Sequence, residues 1–565
     1  MIKHRFSVFT SIFDHQRIMF QKLLRILLLS FCLQPSLIFA QERIELIRAN
    51  ELEGSVINGK NVRILKGNVA LKQGNITVFC ETAYQYYEQN QVEAFEKVRI
   101  TQGDSFSVSG DKLYYDGNTK IAQIRGKEVV LKDAKATLYS QFVDYDMGNK
   151  MLKYFNGGRV VDAENTLTSD IGYYYINQKV FTFKNNVVLK NPQYTMNCDT
   201  LIYNAGTKVV NFKGPTKIVS KDGTLYAEKG YYNTVTKQSS FEGRSKMDYK
   251  DYSISADILD YNQFTGKGIA RRKVVINSFK DSTIVEGELA YYDRLKGYSK
   301  VYANALMKNK FENDTLYLKA DTLITINDSI NGNRKIFAYH NVRIYHKMMQ
   351  AKCDSLIFNL TDSLLYFYKD PVLWSSGSQV IADTIWLKMK QGRINKMYLR
   401  KNAFVISSDS LGNFNQVKGK NMLTHFNDSS RIERIEVKGN GESVYFALEG
   451  DTSLIGMNKV QCSDMTVRFK GKKVKTIVFQ KKPEATFFPP KEISDPDRRL
   501  KGFRWRITEQ PTKLMVLEKQ SYSGIEIPLI LPKHLLSETG SEKTKKPLSR
   551  KEKKAMKKSE KNKLF

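Results

Sequence analysis

Histidine is scarce. Six occur in 565 residues, and only His340, His346, His425 and His534 lie beyond the first forty. His340 and His346 share the strand-like run Tyr339 to His346, where even spacing puts them on one face. Cys353 is the one further ligand close in sequence, so no metal centre is expected. Cysteine is scarce too, with five residues and no Cys-x-x-Cys pair, which leaves a zinc site without support. A nucleophile elbow, a phosphate loop and a zincin helix are all absent. No enzymatic activity and no cofactor are expected. Helical 3.6-residue periodicity is missing from residues 60 to 488, and no apolar run beyond residue 40 is long enough to span a bilayer.

Acid is in short supply relative to base. Lys and Arg number 90 against 58 Asp and Glu, a formal charge of +32. The first forty residues hold five basic and one acidic residue, so the chain without them carries 32 − 4, or +28. Those forty residues read as an export signal. Lys22 and Arg25 precede an apolar run from Ile26 to Phe39, which ends in Phe39-Ala40. Met19 is a candidate start and Ala40 a candidate cleavage position. The run is too short for an anchor and is broken by Gln34-Pro35. Cys32 follows Ser30-Phe31 and lacks the small preceding residue that lipid attachment wants. The positive field favours anionic lipid or acidic polysaccharide. For an exported chain, nucleic acid is not an expected partner.

What the sequence has in quantity is a repeated phrase. Asn197 to Asn204 reads Asn-Cys-Asp-Thr-Leu-Ile-Tyr-Asn. A polar or acidic residue is followed two positions on by an apolar one and four positions on by an aromatic or apolar one. The polar position recurs at Asp111, Gln141, Asp170, Asp199, Glu228, Asp257, Glu288, Asp321, Asp354 and Asp383, at a period of about 29 residues that marks a repeat architecture. A second phrase alternates with it: Leu65-Lys-Gly67-Asn68-Val69, Phe95-Glu-Lys97-Val98, Phe183-Lys-Asn185-Asn186-Val187 and Tyr339-His-Asn341-Val342. Turn dipeptides such as Asp116-Gly117 and Asp222-Gly223 fall between the phrases. The reading is about three short strands per repeat.

Parity locates a bend. Apolar residues before the acid alternate and end on a small one: Val108 and Gly110, Met196 and Cys198, Ile254 and Ala256. After it they fall at the second and fourth positions: Leu113 and Tyr115, Leu201 and Tyr203, Leu259 and Tyr261. A straight strand would send the two sets to opposite faces. If both face one interior, the chain bulges or bends at the acid, with the small residue on the inside. The carboxylate column could be read as a cation or catalytic ladder. The expected reading is structural: solvated corners flanked by lysines. Cys198 and Cys353 fill the small slot, and Cys80 and Cys462 stand near it. They read as small buried residues, because copies several repeats apart cannot reach disulfide distance.

Along the chain, residues 1–40 are the signal region, 41–300 regular repeats and 301–488 longer, degenerate ones with inserts such as Asn327 to Gly332. Residues 489–540 are a Pro-containing segment, in which Gly502-Phe503-Arg504-Trp505 either packs on the last repeat or docks a partner. Residues 541–565 are a basic tail, with eleven basic against three acidic residues.

The two phrases together resemble the OstA-like, LptA-type family of lipopolysaccharide-transport periplasmic proteins. The resemblance rests on Gly67-Asn68-Val69-Ala-Leu71, on Gln73-Gly74-Asn75-Ile76-Thr-Val78, and then on Gly110-Asp111-Lys-Leu113 and Ala256-Asp257-Ile-Leu259. It covers roughly residues 60 to 400 as tandem copies. Family bridge proteins are far shorter, and the outer-membrane member carries a large barrel for which this sequence has no room after residue 490. The resemblance implies an all-β, elongated open β-jelly-roll, or β-taco, whose apolar interior holds acyl chains. It implies a periplasmic, outer-membrane-associated carrier or bridge for lipopolysaccharide that supports outer-membrane assembly. Its partners would be lipopolysaccharide, transport components at both membranes, and further copies of itself joined end to end. On the apolar parity, the candidate groove lining is Val69, Leu71, Ile76, Val78, Leu113, Val129, Leu131, Leu201 and Leu259. From the residues alone, these nine also fit a closed core. Two alternatives stay open: a parallel β-helix acting on polysaccharide, and a structural or adhesive surface repeat protein.

Overall fold

Alternation of apolar and polar residues, broken once in mid-run, gives strands that bend rather than strands that stop. The computed structural model describes residues 42–519, apart from 104–105, 134–135, 281, 312–313, 329–331, 392, 429–430, 451 and 472. The signal region, the basic tail, Cys32 and His534 lie outside the described residues. The chain divides into two compact units, up to Thr207 and from Lys208 onward. Among the described residues no helix is long and apolar enough to cross a membrane.

The first unit is a ladder in chain order. Its strands are β1 (Glu45–Arg48), β2 (Glu51–Ile57), β3 (Lys60–Gln73), β4 (Ile76–Tyr86), β5 (Gln91–Gln102), β6 (Phe106–Asp116) and β7 (Ile121–Lys132). They continue as β8 (Thr137–Asp146), β9 (Met151–Val161), β10 (Thr166–Ser169), β11 (Ile171–Tyr175), β12 (Val180–Asn191) and β13 (Tyr194–Asn204). All pairings are antiparallel between successive long strands, with β1 and β2 both on β3, and β10 and β11 both between β9 and β12. The second unit repeats the scheme from Val209–Ser220 to Glu484–Phe488, again antiparallel at every described pairing. The parallel β-helix is therefore overturned: short hairpin turns reverse the chain after each strand, which parallel pairing forbids.

A repeat is two long bent strands, not three short ones. The Gly-Asn-Val and Asn-Asn-Val phrases read as turn chemistry, but they are bulges inside strands. Between β3 and β4 the register runs Lys66↔Thr82 and then Val69↔Cys80, so Gly67 and Asn68 together oppose Glu81. Between β5 and β6, Glu96 and Lys97 oppose Asp111. Between β12 and β13, Asn185 and Asn186 oppose Asp199. Both bulge residues take left-handed φ: Glu96 62° and Lys97 50°, Asn185 61° and Asn186 52°, and in the second unit His340 62° and Asn341 53°. For non-glycine residues this costs on the order of 1 kcal/mol each.

The acid offsets that strain. Asp111 accepts the Lys127 backbone N–H at 2.8 Å, and Asp170 accepts the Asn186 amide at 2.8 Å. Asp321 accepts Asn341 at 3.0 Å, Asp383 accepts Asn402 at 3.0 Å, and Asp464 accepts the Gly439 N–H at 3.0 Å. Asp354 is held down to about 2 by the Ser355 hydroxyl, then by His340 and Lys369. The carboxylate column is thus a set of clasps, each tying a corner to the bulge beside it. The small slot has an equally local cause: a Cβ on Gly110 would sit 2.7 Å from Ile124 Cγ2 on the adjacent strand.

Each bent strand has two arms. Arm A runs from the corner to one row of turns (Val69–Gln73 of β3, Phe106–Gly110 of β6), and arm B runs to the other (Lys60–Lys66, Lys112–Asp116). Several arm-B turns are Asx turns, as where Asp116 Oδ1 accepts Asn118 N–H at 2.8 Å. They close on a residue in the left-handed region: Lys120 at 59°, Lys150 at 51°, Lys179 at 56°. That conformation aims the lysine carbonyl at the next turn. Met147 N–H donates to Lys120 O at 3.0 Å, Ile176 to Lys150 O at 3.0 Å and Ala205 to Lys179 O at 2.9 Å.

The proline-containing segment is a strap on the second unit. It lies along one row of cross-strand partners on the outer face of arm A: Lys459, Val444, Gln416, Ile406, Gln379, Trp374, Gln350. Buried Gln416 donates to Arg498 O at 2.7 Å and accepts Leu500 N–H at 2.8 Å. Buried Gln379 donates to Arg504 O and accepts Arg506 N–H, both at 2.6 Å. Leu500 joins Phe404, Ile406, Val444, Phe446 and Met457 in a core, and the tilted rings of Phe503 and Trp505 pack on Phe414 with centroids at 5.2 and 5.1 Å. Of the two readings of the aromatic-basic patch, the described residues have it packed on its own repeats.

Glu509 is held down to about 2 by Arg506, then by Lys352. A depressed carboxylate lends stability above its ordinary value near 4.5 and loses it as pH falls through about 2. Trp505 emission is therefore expected to shift to the red between pH 4 and 2 as the strap loosens. Glu509→Gln should show the loosened signal already at pH 7. A wild-type spectrum flat down to pH 2 would contradict this.

Candidate functional site

Corners bring the apolar residues of both arms to one interior. On the β6–β7 rung these are Val108, Leu113 and Tyr115 against Ala122, Ile124, Val129 and Leu131, all buried. All nine expected lining residues are buried: Val69, Leu71, Ile76, Val78, Leu113, Val129, Leu131 and Leu201 in the first unit, and Leu259 in the second. Leu113 is 2% exposed, while its neighbour Lys112 is exposed on the other face. Leu71, Ile76 and Val78 meet around one small hollow of about 10 Å³, room for no more than a single water. Leu113, Val129 and Leu131 share the next rungs. Leu201 faces Phe183 on β12, and Leu259 faces Phe241 and Ala270.

Sequence reasoning missed the rest of that hollow: Ile44, Lys72, Gln73, Val92 and Tyr115. Tyr115 stands at the fourth position of the repeated phrase, and Gln73 and Gln102 occupy the same place in successive repeats, so a signal was present. A second small apolar hollow, of about 10 Å³, lies in the second unit among Met349, Leu373, Val380, Leu387, Met397 and Phe426.

The interior carries little chemistry. Burial pushes the thiols of Cys80, Cys198 and Cys353 up to about 12, which keeps them protonated and inert. All four described cysteines are free. Burial likewise pushes the Tyr115 and Tyr154 phenols up to about 12. His340 is engaged with Asp354 and His346 with Asp314, both at 3.2 Å, so they do not converge with Cys353. Among the described residues no group of three or more His, Cys, Asp or Glu could hold a metal ion.

Comparison with known proteins places these features. The OstA-like protein family matches residues 41–199 and 195–257. Among solved structures, the chain is similar to LptH of Pseudomonas aeruginosa, described as the LptA-homologous periplasmic component of the conserved lipopolysaccharide transport device. That similarity has 16% identity over 24% of this chain and 81% of that one, with a TM-score of 0.14. No curated protein matches. The strand–corner–strand unit runs through the matched residues and continues beyond them in the same antiparallel register, and residues 41–257 carry the pattern of the OstA-like family.

Proposed function

We propose that this chain is an exported, non-enzymatic carrier or bridge that moves lipopolysaccharide toward the outer membrane across the periplasm. One observation carries the reading: successive long strands of each unit bury an apolar inner stripe, in a chain whose residues 41–257 match the OstA-like family. Acyl chains in such an interior gain roughly 0.8 kcal/mol per buried CH₂. Headgroup phosphates would stay at the rims, where Lys120, Lys150 and Lys179 recur on successive turns. The sequence has no phosphate loop, so the energy for transport comes from partner components.

The ends of the ladders suit strand addition. In the first unit β2 pairs only with β3 among the described residues, and presents exposed Leu52 and Val56. In the second, Lys473–Gln480 pairs only with Ser453–Lys470. These edges would serve partner components or a second copy of the chain.

The test is photocrosslinking in cells, with a photoreactive residue at Leu113 and a control at Lys112. A lipopolysaccharide adduct at Leu113 and none at Lys112 is the expected result. Adducts at neither position, in a folded exported protein, would overturn the carrier reading.

A further inference from the structure

The interior of the first unit is shut along its side, and what shuts it is polar. Gln73, at the arm-A end of β3, is 4% exposed. It accepts the Tyr115 hydroxyl and donates to Gly117 O at 3.1 Å, both on the arm-B end of β6. One glutamine thus ties the two arms together across the mouth of the bend. The next repeat copies the arrangement: the Tyr145 hydroxyl on arm B of β8 donates to Gln102, at the arm-A end of β5, at 2.9 Å. In the second unit Arg294, just past an arm-B end, reaches Asp222 in an arm-A turn at 3.5 Å.

Beneath the first of these ties lies the hollow lined by Leu71, Ile76, Val78 and Val92, and a short segment fills its side. β1 pairs with arm A of β3, but the residues just before it cross to arm B. Ile44 N–H donates to Asn90 Oδ1 at 2.9 Å, and Ile44 O accepts Gln85 Nε2 at 2.9 Å. Glu42 O accepts Gln73 at 2.6 Å. The Ile44 side chain, 4% exposed, forms one wall of the hollow.

We infer that the Gln73–Tyr115 and Gln102–Tyr145 pairs are latches on a lateral mouth, that Glu42–Ile44 is its plug, and that an acyl chain is admitted sideways when they part. The inference rests on the carrier reading and adds its route and its gate. The chemistry suits repeated opening. A phenol–amide hydrogen bond satisfies two polar groups that would otherwise be buried in an apolar interior. When it breaks at the rim, both groups meet water, so parting costs far less than parting a closed apolar seam. With an acyl chain in place of Ile44, the freed Gln73 amide and Tyr115 hydroxyl stand at the depth of the chain's root. The ligand class is therefore an acyl chain joined through an ester or amide carbonyl to a headgroup too polar to follow it.

The experiment locks the mouth reversibly. Gln73→Cys and Tyr115→Cys are introduced together into the full chain, with half-buried Cys462 changed to serine. The two thiols are bridged by a bis-methanethiosulfonate reagent that reductant removes. Uptake is followed with cis-parinaric acid, whose fluorescence rises on burial, and with purified lipopolysaccharide. The bridged protein should take up both at least tenfold more slowly than the unbridged one and recover on reduction. Tyr115→Phe, which keeps the ring and removes the latch bond, should load several-fold faster with an unchanged circular dichroism spectrum. Uptake by the bridged protein at the unbridged rate, or Tyr115→Phe loading no faster, overturns the latch while leaving the carrier reading intact. A wild-type protein that takes up neither probe overturns both.

Discussion

Ending the chain at Phe488 is expected to leave a protein that associates in solution and whose second unit melts early. The strap covers an outer face that carries an apolar cluster of its own. Phe404, Ile406, Val444, Phe446 and Met457 lie under Leu500, Phe503 and Trp505. Removing the cover exposes a contiguous apolar patch on a sheet, a surface that recruits other chains. It also strands the glutamines. Gln379 is 0% exposed and Gln416 1%, and each gives up both strap hydrogen bonds. A buried polar group left unsatisfied costs about 1–3 kcal/mol. Gln416→Ala is the milder form: it keeps the strap but orphans the Leu500 N–H and the Arg498 carbonyl, for a loss in the same range. Urea midpoints and light scattering separate the cases. A truncated chain that stays monodisperse with an unshifted midpoint would make the strap dispensable.

Leu113→Asp is expected to cost roughly 3–5 kcal/mol, the usual consequence of an uncompensated buried charge. Leu113 faces Ala94 on β5 and Ile124 on β7, both fully buried. No basic side chain shares that inner face on the rung, since Lys112 and Arg125 point outward. Lys112→Asp, one residue away, should stay within about 0.5 kcal/mol of wild type. Because each rung touches only its neighbours, the loss should appear as local unfolding of β5 to β7 in hydrogen exchange before the rest of the unit opens. If Leu113→Asp left stability unchanged, the interior would be a wet groove and not a packed one.

The roll was legible in the sequence because its causes are local. The acid, the small residue before it and the apolar pair after it stand within five positions of one another. They mark the corner and the inner face without any knowledge of partners, and so nine residues that are buried could be named as a candidate lining. Strand number was misread for an equally physical reason. Gly67-Asn68 and Asn185-Asn186 supply positive φ, and positive φ serves a mid-strand bulge as well as a hairpin turn. Only the opposing carboxylate distinguishes the two, and it lies on another strand.

Long-range features left weaker traces. Gln73 and Tyr115 are 42 residues apart, and nothing beside either names the other. The strap had a trace that was hard to value. Ala403-Phe404-Val405-Ile406 is apolar on both parities, where a one-sided strand should alternate. That run read as a degenerate repeat. It is a strand with two covered faces, and the second cover comes from residues about a hundred positions later.

The lysines at the arm-B turns have one more consequence. A protease that cuts after lysine must seat the residue in an extended conformation and hold its carbonyl carbon open to attack. At Lys120, Lys150 and Lys179 the side chain is exposed, but the backbone is left-handed and the carbonyl oxygen is already bonded to the following turn. Cleavage there requires two neighbouring turns to come apart first. A chain rich in the residue such enzymes seek can therefore display it on its most accessible edge while the peptide bond beside it stays out of reach.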